Sequence, residues 1–340
     1  MSQAACKVID KSAIPRSESP MQRNTVYIIV LNWNGFEDTC ACLNSVLNTE
    51  GCFYKIVVCD NASTDNSFQR LVQWADDNVV PRLGRANVVS LEANQAESYV
   101  CGDSSALYLI QTGSNRGFAG GNNVGIRFSL NQKDSEFLWL LNNDTEVRSD
   151  TLAELLKRVR VRPTIGMCGS RLVYYDDRNR IQALGGKINP RLGTTKHVGS
   201  GWPADLACDD EALSKEMDYP VGASMLINAE LFRKVGLLNE DYFLYYEEID
   251  LVLRAKPHFE VGVASNSIVY HKEGGSIGDD NSDFTDSQFL RSRLIFAKRH
   301  YPQYYYLIRL SYALVALNRF RRGCMSQARI AWRFMLHGEN

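Results

Sequence analysis

The sequence lacks several patterns that assign a chain quickly to a class of protein. Its nine cysteines are scattered, and no two of them have the CxxC spacing of zinc sites and redox motifs. The chain has 38 basic and 39 acidic residues, so it has no overall positive charge, and we expect no nucleic-acid partner. Scattered cysteines without a disulfide framework are typical of a reducing compartment, which favours a cytoplasmic location.

Long hydrophobic runs are also missing. Residues 1–24 are polar and contain no apolar segment of the length that a signal peptide needs, and no later run reaches about 18 consecutive apolar residues. We therefore expect a flexible leader over 1–24 and no membrane span. The hydrophobic content of 45% in 340 residues is nevertheless ample for a large packed core.

Apolar strands alternate with amphipathic helices in the first half of the chain. Strands are predicted at TVYIIVLN, YKIVVCD, ALYLIQT and EFLWLL, with a further short strand at 87–91. This alternation predicts an α/β fold with a central, mainly parallel sheet. The glycine-rich turn after ALYLIQT does not have the dinucleotide-binding fingerprint, which argues against a dehydrogenase.

Polar side chains follow each of these four strands, at 32–35, 60–65, 115–123 and 142–144. Ligands bind outside the carboxyl ends of the strands in sheets of this kind, so we expect the four segments to form one site. Asn, Asp and Gly are also common in turns and helix caps, and capping is the alternative interpretation for each segment taken alone.

Five motifs occur in order along the chain: VYIIVLNWNG, VVCDNASTD, NRGFAGGNN, LLNNDTEV and FLYYEEIDLVLRA. In this order and spacing they resemble the inverting glycosyltransferases of family 2, from about Thr25 to Ile295. Within that family they are most similar to the rhamnosyltransferase-like branch, which builds bacterial surface polysaccharides. The resemblance implies a GT-A fold and transfer of L-rhamnose from dTDP-rhamnose to a saccharide or lipid-linked saccharide acceptor. A UDP- or GDP-sugar donor is the alternative.

The resemblance also implies which residues bind the donor and a divalent cation, Mg²⁺ or Mn²⁺. Asp144 and His271 are the expected metal ligands, with a structural role as the alternative for the histidine. The family's Asp-x-Asp triplet appears here as Asn142-Asn143-Asp144, which leaves strict metal dependence open. The expected donor-binding residues are Asn32, Asn34, Asp60, Asn61, Ser63, Asn115, Arg116, Gly117, Gly120, Asn123 and Asn143.

Two adjacent glutamates at the start of a predicted helix are the candidate catalytic residues. Inverting transfer needs a carboxylate that takes the proton of the acceptor hydroxyl. The family's base aligns with Glu248, with Glu247 in reserve and Asp250 as a supporting residue. Acidic residues also favour helix N-termini for electrostatic reasons alone, which is the alternative interpretation. Four aromatic residues within 242–246 precede the pair and offer faces for a sugar or a base.

We expect one GT-A domain over 25–285, with a nucleotide-sugar half at 25–145 and an acceptor half at 146–285. Residues 286–340 are predicted to form a basic, aromatic-rich helical tail, because 291–340 contain ten Lys or Arg residues and one acid. Leu307, Leu310, Leu314 and Leu317 recur at helical spacing. Such helices suit an anionic membrane surface, so peripheral contact with the inner face of the membrane is expected. Packing of the tail on the catalytic domain is the alternative.

Two other functions fit parts of the sequence less well. A sugar nucleotidyltransferase needs a loop rich in glycine and arginine after the first strand, and LNWNGFED is not such a loop. A non-catalytic carbohydrate-binding protein would keep the fold and lose the acidic residues, yet Asp60, Asp144, Glu247 and Glu248 are all present. A processive synthase would carry membrane spans and a QxxRW motif, and the sequence has neither. Transfer of a single sugar is therefore favoured.

Overall fold

The computed structural model describes residues 25–102, 104, 106–272 and 282–339. The leader predicted over 1–24 lies outside the described residues. The strands are β1 (Thr25–Asn32), β2 (Phe53–Asp60), β3 (Val88–Glu92), β4 (Leu107–Gln111), β5 (Ser135–Asn142), β6 (Thr145–Val147), β7 (Ile165–Tyr174), β8 (Ile181–Ala183), β9 (Gly185–Asn189), β10 (Thr194–Val198), β11 (Ser224–Asn228) and β12 (Glu260–His271).

The helices account for most of the remaining described chain. They are α1 (Phe36–Val46), α2 (Ser67–Asn78), α3 (Val80–Leu83), α4 (Ala93–Ala96), α5 (Gly117–Leu130), α6 (Thr151–Val161), α7 (Asp210–Glu216), α8 (Ala229–Val235), α9 (Glu247–Ala255), α10 (Ser282–His300), α11 (Tyr305–Arg321) and α12 (Met325–His337). Short 3₁₀ turns lie at Arg85–Asn87 and Pro302–Tyr304.

The central sheet has the strand order β3-β4-β2-β1-β5-β11-β7-β12-β6, with β8 paired to β7. The first five strands of this order run parallel, whereas β11 runs antiparallel to both of its neighbours. Strands β9 and β10 form a separate hairpin. The predicted α/β fold with a mainly parallel central sheet is confirmed.

Strand β1 is buried on both faces, which explains its uninterrupted apolar sequence. Val26, Ile28 and Val30 belong to one hydrophobic cluster, which includes residues of α1, α2 and α6. Tyr27 and Ile29 belong to the cluster on the opposite face, with residues of α5, α8 and α9. The sheet is therefore the middle of three layers.

The strand order brings the predicted site segments to one edge of the sheet. Strand β1 pairs with β2 on one side and β5 on the other, so the chain changes sides of β1 between β4 and β5. Asn32 lies opposite Asp60 in the register, and Asp60 lies opposite Gln111. A crevice is expected at such a switch point, outside the carboxyl ends of the strands.

The C-terminal residues are helical, as predicted, and form α10, α11 and α12. Helix α10 contacts the rest of the fold through Phe289 and Phe296, whose rings lie 5.7 and 5.2 Å from the ring of Tyr246. Its Leu290 and Leu294 pack in a separate cluster with Ile308 of α11 and other residues of the two last helices. Among the described helices, none is both long enough and apolar enough to cross a bilayer. The proposed domain limits at 145 and 285 stay a prediction.

Candidate active site

A cavity of about 710 Å³ opens at the carboxyl edge of the sheet, between the segments that follow β1, β2, β4 and β5 and helix α9. Its lining includes eight of the residues predicted from the sequence: Asn61, Asn115, Gly117, Asn143, Asp144, Glu247, Glu248 and His271. Asn142 also lines it, so the whole Asn142-Asn143-Asp144 triplet does. The other predicted residues lie outside its lining.

Asp60, which the sequence predicts as a donor-binding residue, is completely buried at the end of β2. Its carboxylate accepts hydrogen bonds from Asn32 Nδ2 at 2.7 Å, from Ser63 Oγ at 2.7 Å and from the Ser63 backbone N–H at 3.0 Å. The exposed Asn34 accepts a bond from the Thr64 backbone N–H at 2.7 Å. These bonds join the loops after β1 and β2 and fix their shape. Contact of Asn32, Asn34, Asp60 and Ser63 with the donor stays a prediction.

Hydrogen bonds join the glycine-rich turn to Asn61, which follows β2, and to Phe243, which precedes α9. Asn61 Nδ2 donates to Asn115 Oδ1 at 3.0 Å and to the Gly117 carbonyl at 3.1 Å. The Phe118 N–H donates to the Phe243 carbonyl at 2.7 Å. Gly117 has a φ of +69°, and a Cβ at this position would collide with Phe243, so two independent constraints require glycine here.

Asn123 lies outside the cavity lining and holds a loop of the second half. Its side chain donates to the Leu238 carbonyl and to Glu240 Oε1, both at 2.9 Å, and accepts a bond from the Leu238 N–H at 3.1 Å. Arg116 is exposed outside the lining, and Gly120 packs against its Cβ. The geometry gives Asn123 a structural role, while the predicted donor contacts of all three residues remain predictions.

Asp144 and His271 meet because β6 pairs with β12. His271 lies opposite Thr145 in this antiparallel ladder, directly beside Asp144 in sequence. His271 Nε2 is 3.3 Å from Asp144 Oδ1, and Nδ1 is 2.8 Å from Gln182 Oε1. The amide oxygen of Gln182 accepts a bond from Nδ1–H, which orients Nε2 towards the carboxylate. Strand β6, and not a helix, follows the triplet, so LLNNDTEV is not a helix cap.

This arrangement fits a divalent cation. The carboxylate oxygen and the imidazole nitrogen are suitable ligands. A hydrogen-bond acceptor on the other ring nitrogen, as Gln182 provides here, commonly fixes the imidazole tautomer at metal sites. Asn142 Oδ1 is buried and has no hydrogen-bond partner among the described residues. The described residues contain no cluster of three or more His, Cys, Asp or Glu side chains with metal-site geometry. Two protein ligands leave most coordination positions for phosphate oxygens and water, as is usual for Mg²⁺.

The two glutamates lie on the wall of the cavity formed by α9. Both are at the start of this helix, and Glu247 is the more buried. Burial raises the pKa of Glu248 to about 7, and burial together with the neighbouring carboxylate raises the pKa of Glu247 well above its ordinary value. Among the described residues, Oε2 of each glutamate has no hydrogen-bond partner. Two adjacent desolvated carboxylates, each with one oxygen that lacks a protein donor, are unusual outside functional sites.

The backbone in front of the pair has an uncommon conformation. Tyr245 and Tyr246 have φ values of +68° and +72°, which bulky residues rarely adopt. Tyr246 is held there by a hydrogen bond from its hydroxyl to the Gly193 carbonyl at 2.7 Å and by ring contacts with Phe289 and Phe296. Strain of this kind persists where the surroundings fix it and is concentrated at functional sites. It turns the start of α9 towards the cavity.

Asp250 connects helix α9 to helix α10. It is completely buried, and its carboxylate is 2.7 Å from both Arg254 Nε and His300 Nε2. Burial by itself would raise the pKa of Asp250, but the bond from His300 and the charge of Arg254 outweigh it and hold the pKa below its ordinary value. Arg254 also donates to the carbonyls of Val235 and Leu237. The supporting role expected of Asp250 agrees with these contacts.

Replacing Asp250 with alanine is expected to lower the free energy of unfolding by about 3–5 kcal/mol, because it leaves the half-buried Arg254 and His300 without the buried carboxylate that both contact. Urea unfolding measures the change. Asp241→Ala is the matched control: this carboxylate is exposed and lies 3.7 Å from Arg299, so less than about 1 kcal/mol is expected. Equal free energies of unfolding for the two variants would show that the contacts of Asp250 with Arg254 and His300 contribute no more to stability than an exposed ion pair does.

Several residues of the cavity wall were not predicted from the sequence. Thr195 and His197 reach it from β10, Trp33 from the loop after β1, and Tyr219 from the segment before β11. Phe284 also lines the cavity and forms an edge-to-face pair, with ring centroids 5.7 Å apart, with Phe243, which is one of the aromatic residues predicted within 242–246. The sequence around Thr195 and His197 contains no motif. Only the folding of the β9–β10 hairpin onto this side brings them to the site.

The comparisons with known proteins agree with this architecture. Residues 93–219 match the family model described as Glycosyl transferase family 2. Residues 93–219 therefore belong to the family 2 glycosyltransferases. The predicted resemblance to family 2 is thereby confirmed for this segment, and the rhamnosyltransferase-like branch stays a prediction.

Two curated proteins are similar to part of this chain. The low-salt glycan biosynthesis hexosyltransferase Agl10 of Haloferax volcanii is 31% identical over 150 residues, which cover 44% of this chain and 46% of that protein. The uncharacterized protein y4gI of Sinorhizobium fredii is 29% identical over 170 residues, which cover 47% of this chain and 18% of that protein. The matched part thus spans less than half of each relative.

A solved structure shares the fold over most of this chain. The mannosyltransferase PcManGT from Pyrobaculum calidifontis, in complex with GDP-Man and Mn²⁺, superposes with a TM-score of 0.54 at 14% identity. The match covers 93% of this chain and 88% of that chain. The predicted GT-A fold is confirmed.

Proposed function

We propose that this protein is an inverting glycosyltransferase that moves one sugar, L-rhamnose from dTDP-rhamnose, onto a saccharide or lipid-linked saccharide acceptor. The reaction belongs to surface polysaccharide biosynthesis and takes place in the cytoplasm. The observation that carries the proposal is one cavity whose lining includes the carboxylate of Asp144, 3.3 Å from the imidazole of His271, and two desolvated glutamates. The similarity to a hexosyltransferase supports the reaction class.

The two walls suit the two ends of a displacement at an anomeric carbon. A divalent cation, when bound at Asp144 and His271, would neutralise charge on the departing diphosphate. Asn142, Asn143 and the turn at Asn115–Gly117 line the same side and would orient the donor. Glu248 would accept the proton of the acceptor hydroxyl as it attacks from the opposite face. The aromatic side chains of Phe243, Tyr245 and Tyr219 would provide faces for the sugar rings.

The order of roles within the glutamate pair follows from their exposure. Glu248 is half-buried and Glu247 is buried, so Glu248 is better placed to meet an acceptor that enters from solvent. A base with a pKa of about 7 also combines a useful ionised fraction near neutral pH with a good affinity for the proton. Glu247 is the reserve candidate.

The donor is tested by thermal shift with dTDP, UDP, GDP and their sugar conjugates, each with Mg²⁺, Mn²⁺ or a chelator. A ligand that binds only the folded state raises Tm by mass action, and a concentration 100 times Kd adds about 2.7 kcal/mol of stability. We expect the largest shift with dTDP-rhamnose and a metal ion. A larger shift with a UDP- or GDP-sugar would replace the proposed donor, and no shift with any nucleotide would refute the proposed reaction.

A further inference from the structure

Helices α11 and α12 carry an exposed apolar face that the active site does not use. On α11, Leu307, Leu310, Leu314 and Leu317 recur every three or four residues and so share one side of the helix. Leu310 and Leu314 expose 65% and 70% of their surface. The C-terminal apolar face consists of these four leucines with Phe320, Met325, Trp332 and Leu336.

The two helices form a shallow groove within this face. It has a volume of about 480 Å³ and is lined by Leu317, Phe320, Met325, Trp332 and Leu336, among others. Monomeric proteins rarely leave apolar side chains together in this number on one surface. The C-terminal apolar face is therefore expected to be covered when the protein works.

Exposed arginines surround the same groove. Arg329 and Arg333 line it on either side of Trp332, and Arg321 and Arg322 follow Phe320 at the turn between the helices. Within the described part of the chain, none of these four forms a salt bridge. Arg319, in contrast, pairs with Asp286, and Arg309 donates to the carbonyls at the end of α12. The four arginines thus add positive charge to the apolar surface without an acidic partner.

Charge decides between the candidate occupants of this surface. In a symmetric contact between two copies, the arginines of one copy would face the same arginines of the other. Helices α11 and α12 and the turn that joins them contain no acidic residue, and Glu339, which follows α12, is bound to Lys298 and Tyr305. An anionic bilayer instead offers lipid phosphates to the arginines and an apolar interior to the leucines and the tryptophan.

The position of the face relative to the cavity is fixed by two contacts. Arg319, near the end of α11, bonds to Asp286, and Ser326, at the start of α12, bonds to Asp283. Both carboxylates belong to the beginning of α10, where Phe284 lines the cavity. The turn between α11 and α12 therefore lies beside the cavity, and a surface that covered the apolar face would meet the protein close to the acceptor side.

We propose that the C-terminal apolar face docks on the surface of an anionic phospholipid bilayer and holds the cavity beside it. Leucine, phenylalanine and tryptophan side chains enter the boundary between headgroups and acyl chains, and Arg321, Arg322, Arg329 and Arg333 bind lipid phosphates. The proposal goes beyond the proposed sugar transfer and would hold for any acceptor. It places the reaction where a lipid-linked acceptor is available.

Co-sedimentation of the whole chain with vesicles tests the proposal, in the absence of any donor. We expect at least about tenfold stronger binding to vesicles of phosphatidylglycerol and phosphatidylcholine in equal parts than to phosphatidylcholine alone, with a loss at high salt. The variant Leu310→Glu/Leu314→Glu should bind at least about tenfold more weakly. Arg329→Gln/Arg333→Gln should weaken binding to the mixed vesicles by a similar factor.

Matched controls separate docking from folding. Val161→Glu introduces a negative charge at an exposed apolar residue of α6. Arg82→Gln removes an exposed arginine of α3. Both controls should bind vesicles as the unchanged protein does. All the altered residues are exposed, so every variant should keep the original Tm.

Three results would overturn the proposal. The first is no binding to either vesicle, or equal binding to both. The second is unchanged binding of the leucine variant. The third is a dimer in light scattering that dissociates in Leu310→Glu/Leu314→Glu, since the face would then be covered by a second copy. Because no sugar donor is present, none of these results bears on the proposed transfer.

Discussion

Replacing Glu248 with glutamine is expected to reduce sugar transfer by about 10²- to 10⁴-fold and to leave donor affinity unchanged. The amide keeps the shape of the side chain but cannot take a proton from the acceptor hydroxyl. The donor is expected to be bound by other residues of the cavity lining, in the turn at Asn115–Gly117 and the triplet at 142–144. Transfer rates and nucleotide-sugar affinity, measured on the same preparation, separate the two effects.

The matched variant is Glu247→Gln, which changes the adjacent carboxylate of the same pair. Successive side chains on a helix point about 100° apart, so the two glutamates do not reach one hydroxyl equally well. We expect a smaller loss in Glu247→Gln than in Glu248→Gln. The reverse order would assign the base to Glu247, and normal transfer in both variants would remove the pair from the mechanism.

The pH dependence of the unchanged protein gives a second test of the same carboxylate. Burial raises the pKa of Glu248 to about 7, and the base acts only when it is ionised. The value of kcat/KM should therefore fall as the pH decreases below about 7, and Glu248→Gln should lose this dependence. An acid limb near the ordinary value of 4.5 would mean that an exposed carboxylate is the base.

The same raised pKa has a consequence for stability. A carboxyl whose pKa is higher in the folded state stabilises the protein at low pH, and this contribution is lost as the pH rises through the folded pKa. For Glu248 the loss falls between about 4.5 and about 7. Above that range an amide avoids an ionised, desolvated carboxylate, so Glu248→Gln is expected to have a Tm equal to or higher than that of the unchanged protein at pH 8.

Parts of the site that depend on strand ends could be predicted from the sequence. The carboxyl ends of parallel strands meet at one edge, so polar residues after β1, β2, β4 and β5 had to converge there. The glutamate pair was recognisable because its motif stands at a helix start. Periodicity likewise located α11, since its exposed leucines repeat every three or four residues.

Side-chain direction and long-range partners could not be predicted in this way. Asp60 stands at a strand end, but its carboxylate is surrounded by donors from its own loop and from Asn32. Asn123 belongs to the glycine-rich motif, yet its partners, Leu238 and Glu240, lie more than a hundred residues further along the chain. His197 reaches the cavity only through the β9–β10 hairpin, which no local pattern orients.

The last prediction concerns Asp144 and His271. Asp144→Ala should lose both the effect of the metal ion on activity and the binding of the donor. The loss of metal-dependent turnover should exceed the 10- to 100-fold that removal of a residue behind a metal ligand typically costs, because the carboxylate is expected to bind the metal directly. The described residues offer no cluster of three ligands, so we expect the metal ion to bind only together with the diphosphate. Metal alone should then leave Tm unchanged, and metal with a nucleoside diphosphate should raise it.

Asp38→Ala is the control, because its carboxylate bonds to Lys272 at 2.6 Å at the same edge of the sheet but lies outside the cavity lining. It should keep the cooperative shift, whereas Asp144→Ala should show neither the metal effect nor the nucleotide effect. His271→Ala should weaken the metal effect more than donor binding, because it removes one ligand and keeps the carboxylate. Unchanged turnover and metal titration in Asp144→Ala would mean that the oxygen-rich end of β5 only shapes the turn into β6.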